Sequence, residues 1–310
     1  MSYSCFPHVI NLAVQAIYAA LKDGKGLDEL YLLGGGHINK AAVEHMVLPH
    51  GVTRDDYRKV LEGDIIGTAR KLIGACRASG NRREEFFDTI FEGNLNGTWT
   101  DNEGNSFSRD ALQLLRDCET RWSSTFFMLD RVLVMLPVCF ITIKLPLSNF
   151  VYSQVIKAFS QRPHLSDANL TMPNPAEVCV LDHVRSLTSV PHDAQESLSS
   201  SQTPTLSYSL PFYHSIINEW EHMKWIYPFL SPFIEIGVNK VETYIDKSKL
   251  SRTYLFAIRK LDYLCDVTHT LMRLHSVLNP CLKMKWIEDN CPADDVQKTI
   301  NMALETVSLA

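Results

Sequence analysis

Apolar side chains recur at helical spacing through most of this chain, and that pattern constrains its fold more than any other feature. The clearest stripe has neighbours four or three residues apart: Trp122, Phe126, Leu129, Leu133 and Leu136. Residues at this spacing lie on one face of an α-helix, so the stripe predicts a helix with one buried face. Comparable patterns elsewhere predict a mainly α-helical protein.

Length and charge set broad limits on what the chain does. Its 310 residues are enough for two domains, or for one large domain with an insertion. The apolar share of 45% and the charged share of 21% are typical of a globular protein with a buried core. A formal net charge of -5 argues against a surface coated in basic residues, so nucleic-acid binding would require a local site.

Cysteine usage and hydropathy indicate an intracellular protein. The 8 cysteines are scattered and lack the density of a disulfide-stabilised secreted scaffold. The first residues lack the basic and apolar pattern of a signal peptide. The most apolar stretch, residues 132–143, is interrupted by Pro137 and is shorter than the roughly 18 to 20 residues of a membrane span. We therefore expect no membrane partner.

Capping residues predict where several helices begin. Pro7 suits a first helical position, and Thr53–Asp56 is a capping box that opens a helix continuing through apolar positions to Cys76. Asn81–Glu84 and Asn174–Glu177 repeat the capping pattern before two further helices. Two more helices are expected near the C-terminus, over residues 252–278 and 294–309.

Other segments predict interruptions of the helical pattern. Polar, glycine-rich residues 93–105 and Ser/Thr-rich residues 195–204 are expected to be loops. Leu112–Leu115 is expected to be a brief strand, which would add a mixed α/β piece to the first third. Prolines should divide the helical region 206–246 at three places: Pro211, Pro228 and Pro232.

An arginine–tryptophan pair lies at the predicted start of the helix that carries the first stripe. Arg121 and Trp122 follow Thr120, which suits a capping position, and Ser123 and Ser124 come next. One interpretation is a core tryptophan beside a surface arginine. The other is a nucleic-acid contact, in which the ring stacks on an unpaired base while the guanidinium, hydroxyls and helix-start amides bind phosphate.

Cys5 and His8 have the C-x-x-H spacing of metal ligands. A zinc site needs about four ligands, and no second pair of Cys or His residues lies at finger-like spacing. The alternative interpretation is a buried thiol and a capping histidine. The glycine run at residues 34–36 is interpreted as a flexible turn, because it lacks the lysine of a phosphate-binding loop.

An ordered set of short motifs resembles the hAT superfamily of transposases. Cys5–Gln15 is similar to the C-x-x-H-x-x-N-L segment of that family, and Thr120–Thr125 is similar to its T-R-W-x-S-T helix start. Further segments fit the pattern in the same order: Arg77–Phe86, Leu112–Asp117, Thr203–Leu206 and Leu278–Lys283. Each motif is weak alone, whereas the ordered set is specific.

This resemblance implies a domain organisation. A partial ribonuclease H-like α/β core is expected over residues 1–118, an all-helical insertion domain over 119–290, and a C-terminal helix over 291–310. Family members cut and transfer DNA strands with three carboxylates that hold divalent metal, usually Mg²⁺.

The resemblance also assigns site residues. It implies that DNA is bound by four residues at the helix start, with the Trp122 ring stacked on a flipped base: Arg121, Trp122, Thr120 and Ser123. It further implies that Cys5, His8 and Asn11 organise the fold or the site.

The chain departs from the family pattern at both ends. Two catalytic aspartates precede the C-x-x-H segment in the family, whereas no acidic residue stands before Cys5 here. The third family carboxylate lies near a C-terminal dimerisation segment, which has no match before Ala310. We therefore expect an internal, catalytically incomplete fragment without catalytic residues, bound metal or other cofactor.

The sequence leaves three functions open. The first is a transposase-derived protein with residual DNA binding, and the second is a domesticated helical module that binds other proteins. The third is a helical protein whose motif matches are coincidental. The resemblance implies DNA and copies of this or related transposase chains as partners, a nuclear location, and no small-molecule substrate.

Overall fold

The computed structural model describes residues 6–23, 38–100, 105–135, 154–162, 172–199 and 206–249. This part of the chain is mainly α-helical, which confirms the predicted class. Its helices are α1 Phe6–Lys22, α2 Lys40–His45, α3 Arg54–Val60, α4 Ile65–Cys76, α5 Gly80–Leu95, α6 Trp122–Met135, α7 Gln154–Ser160, α8 Pro175–Leu198, α9 Leu206–Ile226, the 3₁₀ helix Pro228–Leu230 and α10 Ser231–Lys249.

Several predictions fall outside the described residues. They include Cys5, the glycine run at 34–36, Leu136 of the first stripe and the two helices near the C-terminus. The loop predicted over 195–204 is wrong in its first part, because α8 extends to Leu198, and residues 200–204 lie outside the described residues.

No β-ladder forms within the described residues. Their β-pairing is limited to an isolated antiparallel bridge between Thr100 and Ser106. The ribonuclease H-like part of the predicted fold therefore stays a prediction. No helix in the described ranges is both long and apolar enough to cross a bilayer.

The strand predicted over Leu112–Leu115 is wrong, because this segment lies outside every helix and ladder. Side-chain donors bind its carbonyl groups instead. Arg131 Nη1 donates to the Gln113 oxygen at 3.0 Å, and the Arg77 guanidinium donates to the Leu114 oxygen. Since these acceptors are satisfied by arginines, the segment needs no neighbouring strand.

The capping box predicted at Thr53 is confirmed. Thr53 Oγ1 accepts from the Asp56 amide at 3.1 Å, and Asp56 Oδ2 accepts from the Thr53 amide at 3.2 Å. The helix that it opens ends at Val60 instead of continuing downstream. A second cap causes this division, because Asp64 Oδ1 accepts from the Gly67 amide at 2.7 Å and starts α4.

The two other predicted helix starts have different outcomes. Asn174 and Glu177 cap α8 reciprocally, with amide-to-side-chain distances of 2.7 and 2.9 Å. The predicted start of α5 is wrong, since Asn81 lies inside its first turn. Ser79 is the actual cap, because its Oγ accepts from the Arg82 amide at 3.2 Å.

Two of the three prolines predicted to divide the 206–246 region mark helix boundaries. Pro228 opens the 3₁₀ helix, and Pro232 lies in the first turn of α10. The break predicted at Pro211 is wrong, since α9 continues through it, as α8 continues through Pro191. Each internal proline removes one helical hydrogen bond, and the remaining turns maintain the helix.

The described residues group into two compact units. The larger lies within residues 11–192 and 220–237, and the smaller within residues 6–10, 193–219 and 238–249. The domain boundary predicted at residue 118 stays a prediction.

A close approach between α10 and its neighbours marks the core of the larger unit. Trp220 is fully buried, and its Nε1 donates to the Leu187 carbonyl at 3.0 Å. A Cβ at Gly237 would lie 2.6 Å from Ile17 Cδ1 and 2.9 Å from the Trp220 ring. Only glycine therefore permits this packing.

Residues predicted as a polar loop after position 93 contain a second packing centre. Trp99 is buried and donates from Nε1 to the Ile90 carbonyl at 3.2 Å. Its ring lies against Gly93, where a Cβ would be 2.0 Å from a ring carbon. Gly93 is thus inside α5, and its missing side chain makes room for the indole.

Candidate functional site

The start of α6 brings together two segments that the sequence analysis singled out separately. The Trp122 amide donates to Asn11 Oδ1 at 3.3 Å, although the two residues are 111 positions apart. One turn along α1, Gln15 Nε2 donates to the Glu119 carbonyl at 2.7 Å. Asn11 therefore caps α6 from another helix, so the first amide of α6 already has an acceptor.

The Trp122 ring points into the protein. Its side chain is only 2% exposed, and the next residues along the stripe, Phe126 and Leu129, are also buried. A base cannot reach a ring in this position, so the structure favours a core tryptophan beside a surface arginine. Base stacking by Trp122 is not retained, because this conformation gives the ring no accessible face.

The other predicted DNA-binding residues lie nearer to solvent. Thr120 and Arg121 are exposed, and Ser123 is half-buried. Ser124 closes the loop before α6, because its Oγ accepts from the Cys118 amide at 2.8 Å and lies 2.7 Å from the Arg121 carbonyl. The helix start thus presents a guanidinium and a hydroxyl on an ordered loop.

An exposed thiol lies beside this arginine. Cys118 Sγ is 3.2 Å from Thr120 Oγ1. Hydrogen bonding from Thr120, followed by the positive charge of Arg121, lowers the pKa of the Cys118 thiol. The Thr120 hydrogen bond and the nearby guanidinium therefore favour the thiolate form of Cys118.

Arg70 forms ion pairs with two carboxylates of the same loop. Its Nε and Nη2 donate to Asp117 Oδ2 at 3.0 and 2.7 Å, and Thr125 Oγ1 donates to that oxygen at 2.9 Å. Glu119 lies 3.3 Å from the guanidinium. Burial alone would lower the pKa of Arg70, but its contacts with Asp117 and Glu119 outweigh burial and raise it. This cation holds α4 to the loop.

A buried polar centre that the sequence patterns did not predict lies between α3 and α8. The Tyr57 hydroxyl lies 2.9 Å from His183 Nδ1, Cys179 Sγ lies 3.8 Å from His183 Nε2, and the Tyr227 ring stacks on the imidazole at 4.1 Å. The spacing of Cys179 and His183 by four residues was the available signal, since it places them on one helix face.

This centre is structural. Burial lowers the pKa of His183 to about 4 and raises the pKa of Cys179 to about 12. The imidazole is therefore neutral and the thiol protonated near pH 7. That combination lacks the thiolate required of a cysteine nucleophile.

A cleft of about 500 Å³ is lined by three carboxylates: Asp56, Asp64 and Glu177. Each of them accepts a hydrogen bond from a helix-start amide, as described for α3, α4 and α8. No three His, Cys, Asp or Glu residues in the described ranges are arranged to hold a metal ion. The cleft carboxylates are thus committed to helix capping.

The C-x-x-H motif is only partly described. His8 is exposed on the first turn of α1, whereas Cys5 precedes the described residues. The roles predicted for Cys5 and His8 stay predictions. Asn11 alone among the three motif residues has a defined contact, with the start of α6.

No protein-family model matches the chain, and searches of curated proteins and of solved structures found no match either.

Proposed function

We propose that this chain is a hAT-type, transposase-derived protein that binds DNA. The observation that carries the proposal is the contact between Asn11 and Trp122. Two motifs quoted for the resemblance, far apart in sequence, meet at this contact. Their proximity supports the proposal, because parts of one inherited site lie together in the fold.

In this proposal the DNA contact is electrostatic. The exposed Arg121 guanidinium donates to backbone phosphate, and the Thr120 hydroxyl and half-buried Ser123 supply further hydrogen bonds. Trp122 contributes to the fold and does not touch DNA in this proposal, because its ring is buried. Strand cleavage is not included, and the expectation of catalytic incompleteness stays a prediction.

Fluorescence anisotropy with hairpin and duplex DNA tests this proposal through Arg121→Ala. We expect about threefold to tenfold weaker binding and a salt dependence reduced by about one counterion, since one phosphate contact is lost. Lys240→Ala, which removes an exposed cation on α10, is the matched control and should bind like the wild type. Equal affinities for Arg121→Ala and the control would contradict the proposed site.

Exposed apolar side chains favour protein binding as a second function. Phe91 and Leu95 lie one turn apart on α5 and are 61% and 71% exposed. Proteins bind one another through contiguous exposed apolar surface, and this pair supplies a small one. A wild-type chain that fails to bind DNA even at low salt would favour this domesticated module over the first proposal.

A further inference from the structure

Four arginines gather where α4 ends and α5 begins, and we call them the arginine cluster: Arg77, Arg82, Arg83 and Arg116. Arg116 Nη2 donates to the Arg77 carbonyl at 3.2 Å, so the segment that carries Arg116 is fixed against the end of α4. Arg77 and Arg83 line a single crevice. Burial first, then the charges of Arg116 and Arg83, lower the pKa of Arg77.

The cluster lacks carboxylate partners in the part of the chain that the structure describes. The ion pairs there involve other cations: Lys22, Arg70, Arg162, Arg185 and Lys224. This is unexpected in a chain with 35 acidic and 30 basic residues. Acidic residues outnumber basic ones, yet no carboxylate among the described residues forms an ion pair with these four arginines.

The position of the cluster adds to its positive potential. The first turn of α5 contains no acidic residue, and Arg82 and Arg83 lie at this end of the helix. Helix amides create a positive potential at an N-terminus, so cations are disfavoured there and anions are favoured. Gly80 is the first residue of the helix, and a Cβ added there would lie 3.9 Å from Arg83 Nη2.

Helix capping accounts for only part of the cluster. Arg82 Nη1 donates to the Ala75 carbonyl at 2.9 Å, and Arg116 donates to the Arg77 carbonyl, so both satisfy the C-terminal end of α4. A guanidinium has five N–H donors, and these contacts use one from each. Arg83 is exposed and makes no hydrogen bond or ion pair with the described residues.

We propose that the arginine cluster binds the phosphates of a polyanionic chain, with Arg83 and Arg116 as the principal contacts. The guanidinium fork matches the geometry of phosphate oxygens, and several forks in a row match repeated phosphates. The choice of DNA as the ligand rests on the proposed function. Free polyphosphate has the same chemistry and is the competing source.

The test measures anisotropy of labelled duplex DNA over about 50 to 200 mM salt, with and without inorganic polyphosphate as competitor. For Arg83→Gln combined with Arg116→Gln we expect at least about tenfold weaker DNA binding and a salt slope lower by about two. Lys157→Gln combined with Lys240→Gln removes the same charge from exposed positions on α7 and α10 and should change the slope little.

A single variant separates a loss of DNA binding from a loss of folding stability. Because Arg116 donates to the end of α4, the double variant could lose stability, which thermal unfolding would reveal. Arg83→Gln breaks no hydrogen bond or ion pair with the described residues, so it should keep the wild-type melting temperature and lower the slope by about one. A wild-type slope in Arg83→Gln would overturn the assignment of Arg83 to phosphate.

The outcomes separate the cluster from the helix start. DNA binding that weakens in Arg121→Ala but not in the cluster variants would overturn the cluster and leave the proposed function in place. Polyphosphate binding that depends on Arg83 and Arg116, without any DNA binding, would support the cluster and reject the proposed function. Equal losses of DNA affinity in the cluster and control variants would mean that only net charge matters. That result would overturn the assignment of phosphate binding to the cluster.

Discussion

Two regions in contact with residues 112–121 use arginine in opposite ways. Arg70 meets Asp117 and Glu119, and a carboxylate oxygen lies 2.7 Å from its guanidinium. In the arginine cluster, Arg77 donates to the Leu114 carbonyl of this segment, and Arg116 of the segment donates to the Arg77 carbonyl. The cluster has no carboxylate partner among the described residues. The paired Arg70 holds α4 to the loop before α6, whereas a group of arginines without carboxylate partners is suited to bind an anion from solution.

The tryptophans show the same division between interior and surface. Trp122 lies beside the paired region and is 2% exposed, whereas Trp225 is 48% exposed on α9. At the start of α6, the aromatic ring is therefore buried while the charged side chain is exposed. The Trp122 ring, which was predicted to contact DNA, is part of the core. The neighbouring Arg121 guanidinium is exposed.

The largest expected effect comes from removing the buried Trp122 ring. Trp122→Ala should lower the free energy of unfolding by about 3 to 5 kcal/mol, because it leaves a cavity where a large ring was buried. Trp225→Ala is the matched control, and its half-exposed ring should cost less than about 1 kcal/mol. Urea unfolding measures both, and similar losses in the two variants would contradict the burial of Trp122.

The next largest effect concerns the buried centre around His183. Its pKa is about 4 in the folded protein against 6.5 as the ordinary value, so the unfolded chain binds the proton first as pH falls. Stability from the neutral imidazole is present above pH 6.5 and is lost on acidification towards pH 4, by about 3 kcal/mol. Among the groups facing the ring, Tyr57 and Cys179 stay protonated over this range, since burial raises the pKa of each.

His183→Gln provides the control for this pH dependence. The amide keeps a hydrogen-bonding group beside Tyr57 but cannot titrate. Urea unfolding between pH 7.5 and 4 should therefore show a shallower decline in the variant than in the wild type. Parallel declines would mean that other groups cause the acid sensitivity and that His183 is not the relevant titrating residue.

Local patterns in the sequence predicted much of the helical fold. The box at Thr53 and the cap at Asn174 were confirmed because a cap depends on residues within one turn. The division between α3 and α4 was missed, since the apolar period hid the cap at Asp64. The strand at Leu112–Leu115 was wrong because distant arginines, Arg77 among them, satisfy its carbonyl groups.

The candidate site was less predictable, for a physical reason. The sequence identified Asn11 and Trp122 but could not show that one caps the other, because that contact joins different helices. The apolar stripe placed the Trp122 ring on the buried face of its helix, whereas the motif resemblance favoured a ring open to DNA, and the observed burial agrees with the stripe. The arginine cluster was also hidden, because its members come from three segments and become neighbours only in the folded chain.

The most direct test of the difference between paired and unpaired arginines compares Arg70→Gln with Arg83→Gln in one salt titration of duplex DNA binding. Each variant removes one arginine charge, but Arg70 is paired with Asp117 and Arg83 is not paired within the described residues. We predict a slope lower by about one for Arg83→Gln and an unchanged slope for Arg70→Gln, with both variants checked to be folded. Equal slopes for the two variants would contradict it.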